Sequence, residues 1–347
     1  MAKEKEVILI TGSSGRIGFK AAERFSKNYK IVGYDVFLAG RLPDVEFVIV
    51  DLGSDESVRE GLDYVKKTYG NKIASVIHLA AYYTFATRWS PLYDKITVQG
   101  TQRLLRELQK FEVEQFIFSS TMLLHHPCSV GERITEDSPL NRSWGYPVSK
   151  IQTEELLHKE RGDIPIVMLR IAGVYDDICH SIPLSNQMQR IFENQFEGKV
   201  FAGDVSHGAS FVHMEDLIES IALCVEKRKT IPPELTLLIG EPTTLSYDEI
   251  QKQMALLIHG KKWKTWGLPK PLAKIGAWAQ GHLPFVKKSF IKPWMIDIAD
   301  DHYCLDISRA RKYLGWEPKR KLEDTIPKWV AQVKLDRLAW YHENKLK

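Results

Sequence analysis

Short apolar runs alternate with amphipathic stretches along the first 175 residues. The runs are rich in Val, Ile and Phe and too short for helices. They predict strands at residues 7–11, 31–35, 47–51, 75–80, 115–120 and 166–171. Between them lie helical patterns such as residues 101–110, in which Leu104, Leu105 and Leu108 share one face. Uninterrupted apolar strands are typical of a parallel sheet covered by helices on both faces. The pattern therefore predicts an α/β fold with a doubly wound parallel sheet.

The regular alternation of apolar runs and amphipathic stretches ends at about residue 176. One helix is predicted at residues 184–198, and strands that rejoin the first sheet are predicted at residues 211–213 and 235–239. The remaining residues carry helical patterns and seven of the nine tryptophans. We therefore expect two interleaved domains. The first comprises residues 1–175 and about 211–239, and a smaller, mostly helical one comprises about 176–210 and 240–347.

Composition narrows the class of protein. The chain has 347 residues, 44% of them hydrophobic and 27% charged, which excludes a disordered or collagenous protein. A net charge of +4, with both signs interspersed, argues against a nucleic-acid partner. No apolar run is long enough to span a membrane and none at the start reads as a signal peptide, so we expect a cytoplasmic protein.

The cysteines and histidines point to no metal site. Cys128, Cys179, Cys224 and Cys304 lie far apart without a CxxC pair, and we expect them to be reduced and structural. The histidines lack ligand spacing with acids or cysteines. The sequence therefore predicts that no metal is needed.

A glycine-rich loop follows the first predicted strand and opens a helix. Its glycines form GxxGxxG, which allows a tight turn, a close approach of a pyrophosphate, and close packing of helix on strand. The helix N-terminus presents free N–H groups to phosphates. This arrangement is typical of a Rossmann sheet that binds a dinucleotide. The candidate binding residues in the loop are Gly12, Ser14, Gly15, Arg16, Ile17 and Gly18.

Two acids end the next strands. Asp35 follows Gly18 by 17 residues, where a carboxylate accepts hydrogen bonds from the adenosine ribose and repels a 2′-phosphate. This favours NAD over NADP, although Arg16 or Arg41 could pair with that phosphate. Asp51 and Leu52 close the third predicted strand, where they could reach the adenine edge.

Tyr146 and Lys150 are four residues apart in a stretch that reads as a helix, so their side chains share a face. Pro147 is tolerated only in a first turn, so the helix should begin near Tyr146. A lysine ammonium stabilises a phenolate and lowers its pKa, which makes the pair a usable proton shuttle. Thr121 adds a hydroxyl at the carboxyl end of a predicted strand, where open α/β sheets bind ligands.

Together these motifs resemble the extended short-chain dehydrogenase/reductases, and specifically the NAD-dependent epimerase/dehydratase family. The matching segments occur in the family's order along nearly the whole chain. They are TGSSGRIG (11–18), HLAA (78–81), GT (100–101), FSST (118–121), YPVSK (146–150), LRIAGVY (169–175), FVHMEDL (211–217) and LDISRARKYLGWEP (305–318).

The resemblance implies roles for these residues. Tyr146 would be the general acid and base, Lys150 would lower its pKa and hold the nicotinamide ribose, and Thr121 would bind the reacting oxygen. The glycine loop would hold the pyrophosphate of NAD, and the first domain would be the NAD-binding domain. Residues Leu79, Ala80 and Ala81 would run along the cofactor. We expect His78, just before them, to be a buried, hydrogen-bonded residue.

Departures from the family pattern bear on the substrate. Nucleotide-sugar 4,6-dehydratases carry an Asp-Glu pair after the threonine, where this chain has Met122 and Leu123, so dehydratase chemistry is not expected. Sugar-nucleotide epimerases carry a phosphate-holding arginine where this chain has Ala209 and Ser210. A family asparagine before GT is replaced by Thr97.

Aromatic residues at 82–95 and 263–266 suit an apolar substrate pocket, although they could equally form ordinary core. Arg88 could instead pair with a substrate carboxylate, and Arg190 and Lys199 are further candidate cations. Residues 268–296 read as a cap of the pocket, with contact to a membrane surface not favoured.

The sequence thus predicts an NAD-dependent oxidoreductase that transfers a hydride at a secondary alcohol or ketone of a small molecule. A nucleotide-sugar 4-epimerase is the alternative, and a non-catalytic dinucleotide sensor or scaffold is a second alternative. The presence of both Tyr146 and Lys150 argues against the sensor. The choice between dehydrogenase and epimerase, and a homodimer, stay open.

Overall fold

The centre of the molecule is a seven-stranded sheet in which every neighbouring pair is parallel. The computed structural model describes residues 5–38, 40–84, 87–282 and 291–346. The strands are β1 Val7–Thr11, β2 Lys30–Asp35, β3 Val45–Ile49, β4 Lys72–Ile73, β5 Ser75–His78, β6 Glu112–Val113, β7 Phe116–Thr121, β8 Ile166–Ile171, β9 Gly173–Tyr175, β10 Val200–Ala202, β11 Phe211–His213, β12 Glu234–Ile239 and β13 Trp266–Leu268. The sheet has the order β12-β8-β7-β5-β1-β2-β3.

Helices connect and cover these strands. They are α1 Arg16–Phe25, α2 Asp55–Tyr69, α3 Gln99–Leu108, α4 Gly145–Glu160, α5 Ile182–Phe192, α6 Met214–Glu226, α7 Tyr247–His259, α8 Lys270–His282, α9 Ser308–Leu314, α10 Leu322–Leu335 and α11 Arg337–Glu343. Short helical turns of other types occur at Tyr93–Val98, Met122–Leu124, Phe196–Gly198 and Pro293–Ile298.

Alternation along the strands explains why the sheet is buried on both faces. Ile8 and Ile10 of β1 belong to one hydrophobic core, and Val7 and Leu9 belong to the core on the opposite face. Successive side chains of a strand point to opposite faces, so a strand without polar positions needs two covering layers. The predicted α/β fold with a doubly wound parallel sheet is confirmed.

The two ends of α2 have the capping residues that its sequence provides. Ser54 caps α2 by accepting a hydrogen bond from the Ser57 N–H, and Asp55 and Glu56 occupy its first turn. Gly70 ends this helix with a φ of 86°, a conformation that favours glycine. Such caps fix where the connecting helices begin and end, and with them where the strand ends meet.

A third core lies among the C-terminal helices and contains Tyr175, Met188, Met254, Trp329 and Trp340. The segment from Tyr303 to Trp316, by contrast, contributes to the first core beside the sheet. The division into two interleaved domains stays a prediction.

Several predicted elements differ from the structure, among them the strand predicted at residues 75–80, which ends at His78. The segment 211–213 does not rejoin the large sheet, because β11 pairs with β9 in a separate two-stranded sheet. The helix predicted at 184–198 ends at Phe192, and a short 3-10 turn follows at Phe196–Gly198. The third strand lies two residues earlier than predicted, because β3 ends at Ile49.

Candidate active site

The predicted site residues gather where neighbouring strands end. Thr11, Asp35, His78 and Thr121 are the last residues of β1, β2, β5 and β7. Carboxyl ends of parallel strands meet at one edge of the sheet. The strand order reverses between β1 and β5, which is where open α/β sheets bind ligands. The candidate site therefore lies at a position typical of dinucleotide binding.

The glycine loop has the close packing that its pattern predicts. Gly12 has a φ of 71°, and a Cβ there would lie 2.9 Å from the Ala80 nitrogen. A Cβ on Gly18 would lie 2.1 Å from the Gly12 carbonyl oxygen. Larger residues at either position would push the loop away from β5 or from its own helix.

The N-terminus of α1 is open to an anion. In α1, every residue of which is described, no acid occupies the first turn, and Gly15 at the N-cap offers no side chain. The free N–H groups and the helix dipole therefore face the loop without an internal partner. These features fit the pyrophosphate of NAD, which the loop residues would hold.

Asp35 lies against this loop. Its carboxylate accepts hydrogen bonds from the Ser14 N–H (2.9 Å) and the Val36 N–H (2.8 Å). Both carboxylate oxygens retain capacity for ribose hydroxyls, since each oxygen has two lone pairs. The position fits the ribose contact predicted from the sequence.

Arg16 points to a different partner. Its guanidinium forms an ion pair with Asp176 (2.5 Å) and donates a hydrogen bond to the His180 carbonyl (3.2 Å). His180 Nδ1 also lies 2.7 Å from the Asp176 carboxylate. In the structure Arg16 thus ties the glycine loop to the segment that follows β9.

The remaining cofactor candidates lie beside the same edge. Ile17 packs partly buried against the first core. Asp51 lies beyond the end of β3 and accepts a hydrogen bond from the Gly53 N–H (2.7 Å), while Leu52 is buried. Leu79 and Ala81 lie in the segment directly after β5, and the Leu79 N–H donates to the Thr11 carbonyl (3.2 Å).

A buried hydrogen-bond chain holds that segment. The Ala80 N–H donates to Thr11 Oγ1 (3.2 Å), which lies 2.7 Å from His78 Nδ1. His78 Nε2 lies 2.8 Å from Thr101 Oγ1, and the Thr101 hydroxyl donates to the Thr97 carbonyl (2.6 Å). Burial lowers the pKa of His78 to about 3, so its ring is neutral. The expectation of a buried, hydrogen-bonded His78 is confirmed.

Helix α4 begins at Gly145, which brings Tyr146 and Lys150 to the strand ends. Pro147 lies in the first turn, as predicted, where its missing N–H costs no helical bond. The Lys150 ammonium donates to the Ser119 carbonyl (2.6 Å), and its Nζ lies 5.8 Å from the centre of the Tyr146 ring. The Thr121 side chain lies close enough to the Tyr146 phenol to act on its pKa.

The electrostatics of this group differ from the sequence argument. Burial raises the pKa of Tyr146 to about 12, although the nearby Thr121 side chain opposes the shift. Burial also lowers the pKa of Lys150 to about 7, opposed by the nearby charge of Glu154. A lysine that titrates near neutrality acts less strongly on the phenol. The chain alone therefore does not produce a phenolate at neutral pH.

Sequence reasoning missed the ion pair that supports Lys150. Glu154, one turn further along α4, accepts two hydrogen bonds from the Arg170 guanidinium, at 3.1 and 2.6 Å. Arg170 also lies 3.1 Å from His125 Nε2. Because burial and Arg170 lower the pKa of His125 to about 4, this ring is neutral, and its Nε2 accepts from Arg170 while its Nδ1 donates to the Ser138 carbonyl (3.0 Å). The spacing Lys150-x-x-x-Glu154 was the available sequence signal.

Aromatic rings surround the phenol. Tyr83 meets the Tyr146 ring edge-on with centres 4.7 Å apart, and Trp144 packs at 5.7 Å. Trp144 also packs against Trp294 at 5.3 Å. Tyr83 belongs to the aromatic stretch 82–95 that the sequence assigned to a pocket or to core, and together with Trp144 it partly encloses the candidate proton shuttle.

A cavity of about 340 Å³ lies beside these rings. Its lining is mainly aliphatic and aromatic, with Leu123 and Trp144 on the side of Tyr146 and Phe201 and Phe211 elsewhere. Ala209, where epimerases carry an arginine, lines it as well. The cavity is the candidate substrate pocket.

Part of the predicted cap 268–296 also borders this cavity. Ile291 and Trp294 line it, whereas Leu272 and Ile275 of α8 are 55% and 63% exposed. Residues 283–290 lie outside the described part of the chain. No described helix is long and apolar enough to cross a membrane.

The side chains that bind metal ions do not cluster within the described residues. There, no group of three or more His, Cys, Asp or Glu side chains is arranged to hold a metal ion. All four cysteines lie within the described ranges and are free thiols.

Comparison with known proteins gives the family. The model of the NAD dependent epimerase/dehydratase family matches residues 8–240. The chain is 21% identical to a decarboxylating sterol-4-alpha-carboxylate 3-dehydrogenase of Candida albicans, over 94% of this chain and 97% of that protein. It is 25% identical to a UDP-glucuronate 4-epimerase of Thermodesulfobacterium geofontis, over 93% and 94% of the two chains.

A solved structure shares the fold. It is the UDP-glucuronic acid 4-epimerase of Bacillus cereus in complex with UDP-glucuronic acid and NAD, at a TM-score of 0.70 and 22% identity over 94% of this chain and 99% of that one. The fold, the glycine loop and the family match agree. The chain therefore belongs to the NAD dependent epimerase/dehydratase family, and it is an NAD-dependent oxidoreductase.

Proposed function

We propose that Tyr146 exchanges the proton and Thr121 binds the reacting oxygen when NAD takes or returns a hydride at a secondary alcohol or ketone. One observation carries this assignment. The start of α4 brings the Tyr146 phenol close to the Thr121 side chain and fixes the Lys150 amine on the Ser119 carbonyl. A proton shuttle is useful only when it is held beside the reacting oxygen.

The other candidate site residues bind and orient the cofactor. The glycine loop and the N-terminus of α1 hold the pyrophosphate, Asp35 holds the adenosine ribose, and Lys150 holds the nicotinamide ribose. Bound NAD supplies the hydride acceptor and, in its oxidised form, a positive charge. A nearby positive charge favours the phenolate, and the pKa of Tyr146, about 12 without it, requires such help.

We further propose a largely apolar substrate. The aliphatic and aromatic lining of the cavity supports this, as does the absence of an acid at Met122 and Leu123. Two relatives are named as dehydrogenases of a sterol-4-alpha-carboxylate and of a 3 beta-hydroxysteroid. They are the Candida albicans dehydrogenase and, at 24% identity, the human 3 beta-hydroxysteroid dehydrogenase type 7.

The second candidate is a nucleotide-sugar 4-epimerase. Arg190 in the cavity could meet a phosphate, and the Bacillus cereus structure contains UDP-glucuronic acid. A diphosphate in a dry pocket needs several charge-assisted donors. Ala209 and Ser210 supply none where epimerases carry an arginine.

The test uses the NAD-loaded protein. Thermal shift and NADH formation are measured with apolar secondary alcohols, their ketones, UDP-glucose and UDP-glucuronic acid. We expect apolar alcohols to stabilise the protein and reduce NAD, with loss of turnover in Tyr146→Phe. Stabilisation by a micromolar UDP-sugar, followed by its epimerisation, would instead establish the second candidate.

A cytoplasmic location and a homodimer stay proposals of the same kind. Cell fractionation tests the location, and sedimentation velocity tests the dimer.

A further inference from the structure

Three N–H donors line the cavity without an acceptor. Gln187 Nε2, Arg190 Nε and Trp294 Nε1 are all buried and have no hydrogen-bond partner among the described residues. Gln187 as a whole is only 4% exposed. A buried donor without an acceptor is costly, and native proteins rarely retain one without a purpose. Their convergence on one cavity indicates a ligand that accepts hydrogen bonds.

Two of these donors belong to α5, and the third lies on the side of the candidate proton shuttle. Gln187 and Arg190 are three residues apart on α5, so they share a helix face. Trp294 packs on Trp144, which packs in turn on Tyr146. A molecule that fills the cavity could therefore present one polar group to α5 and another to the proton shuttle.

The charges of the residues that line the cavity indicate which kind of hydrogen-bond acceptor it can bind. Arg190 is the single Arg or Lys among the described lining residues, and Glu197 and Asp301 also line the cavity. Burial raises the pKa of Asp301, which favours its neutral form. One guanidinium matches one negative charge, whereas a diphosphate brings two into a lining that already holds acids.

Other cations that the sequence offered are engaged elsewhere. Arg88 donates to the Ser143 carbonyl at 2.7 and 3.3 Å, and the Lys199 amine lies 5.5 Å from the centre of the Trp263 ring. Arg190, in contrast, forms no ion pair with any described acid.

We infer that the substrate carries a carboxylate on an apolar frame and that Arg190 and Gln187 bind this carboxylate, while Trp294 is a third donor to the substrate. The inference rests on the proposed function, because the same cavity would take the alcohol. It adds a specificity-determining subsite that reads one end of the substrate while Tyr146 acts on the other.

The experiment compares matched probes on the NAD-loaded protein. Calorimetry measures the binding of hexanoate, cyclohexanecarboxylate and 2-naphthoate beside their methyl esters. We expect at least one carboxylate to bind more tightly than its ester by about ten- to a hundred-fold, because a charge-assisted hydrogen bond is lost in the ester.

Variants assign this difference to the subsite. Arg190→Met should abolish the preference for the acid, Arg190→Lys should retain part of it, and Gln187→Leu should weaken it. Arg311→Met is the control, because Arg311 pairs with Glu317 on the surface. Thermal unfolding should be nearly unchanged in Arg190→Met, since the buried Nε of Arg190 has no hydrogen-bond partner among the described residues.

Two results would overturn the inference. One is that no acid is preferred over its ester, and the other is that Arg190→Met keeps the preference. The proposed function fails separately, when no secondary alcohol or ketone in the panel gives turnover that depends on Tyr146. Turnover of neutral alcohols with no preference for acids would leave the function standing and reject the carboxylate subsite.

Discussion

At the scale of single residues, Tyr146 and Lys150 carry the proposed chemistry under opposing conditions. Both are held in a dry environment that disfavours their charged forms, with pKa values of about 12 and about 7. The Ser119 carbonyl fixes the lysine within reach of the phenol. Such a pair is inert until further charge enters the site, which restricts proton transfer to the loaded enzyme.

Tyr146→Phe removes the proton relay and little else. Turnover should fall by roughly 10²- to 10⁴-fold, the usual contribution of general acid–base catalysis. NAD affinity, measured by fluorescence titration, should remain nearly unchanged, whereas Lys150→Met should reduce both. Tyr313→Phe, beside the first core, serves as the control. Full activity in Tyr146→Phe would exclude the mechanism.

Asp35 should determine the choice of dinucleotide. A carboxylate beside a 2′-phosphate is a like-charge contact, which costs several kcal/mol. Asp35→Asn keeps the shape and a hydrogen-bond acceptor for Ser14, so the preference for NAD over NADP should narrow by about tenfold or more. Titration of NADH and NADPH measures this ratio, with the exposed Asp63→Asn as control. An unchanged ratio of the affinities for NADH and NADPH would mean that another residue determines the choice of dinucleotide.

At the scale of elements, the buried pair of Glu154 and Arg170 fastens α4 to β8. Each residue is 7% exposed, and their two hydrogen bonds cross from helix to sheet directly behind Lys150. The helix that carries the proton shuttle is therefore held by charge as well as by packing. A shift of α4 along the sheet would move Tyr146 away from Thr121.

Arg170→Met should destabilise the fold by about 3–5 kcal/mol, because it leaves the Glu154 carboxylate buried without a partner. Replacing both, in Arg170→Met with Glu154→Leu, should restore most of the loss. Arg142→Met removes an exposed ion pair from the same helix and should cost less than about 1 kcal/mol. Urea denaturation measures all three. Equal losses of unfolding free energy in Arg170→Met and Arg142→Met would mean that the buried ion pair stabilises the fold no more than the exposed one does.

The pattern of apolar residues predicted the strands that are buried on both faces of the sheet. The strands β1, β2, β7, β8 and β12 agree with the sequence to within a residue, because strands buried on both faces must be continuously apolar. The segment 211–213 was assigned to the wrong sheet, since short apolar strands do not specify their partners. The Glu154–Arg170 pair was missed for a similar reason, because it joins residues from two elements.

At the scale of the whole molecule, Glu241 joins the sheet to the C-terminal helices. It follows β12, accepts a hydrogen bond from the Tyr175 hydroxyl (2.9 Å), and accepts another from the N–H of Leu322 at the start of α10 (3.1 Å). Motif order predicted the fold and most of the candidate site, but not this junction. A single acid carries no pattern, and its partners lie 66 and 81 residues away.

The junction makes stability depend on pH. Burial raises the pKa of Glu241 from its ordinary 4.5 to about 7. A raised pKa in the folded state means that the folded protein binds the proton more tightly than the unfolded chain does. Glu241 therefore contributes to the free energy of unfolding fully below about pH 4.5, and this contribution is lost as pH rises to about 7. Its size is on the order of 3 kcal/mol, at 1.36 kcal/mol per unit of pKa.

Glu241→Gln tests this by keeping the shape and removing the titration. The free energy of unfolding, measured by urea denaturation at steps between pH 4.5 and pH 8, should fall with pH more steeply in the native chain than in the variant. The difference between the two curves isolates Glu241 from the histidines that titrate in the same window. Glu60→Gln, on the exposed face of α2, should reproduce the native curve. Parallel curves for the native chain and Glu241→Gln would mean that this carboxylate is ionised in the folded state throughout, with its two donors offsetting its burial.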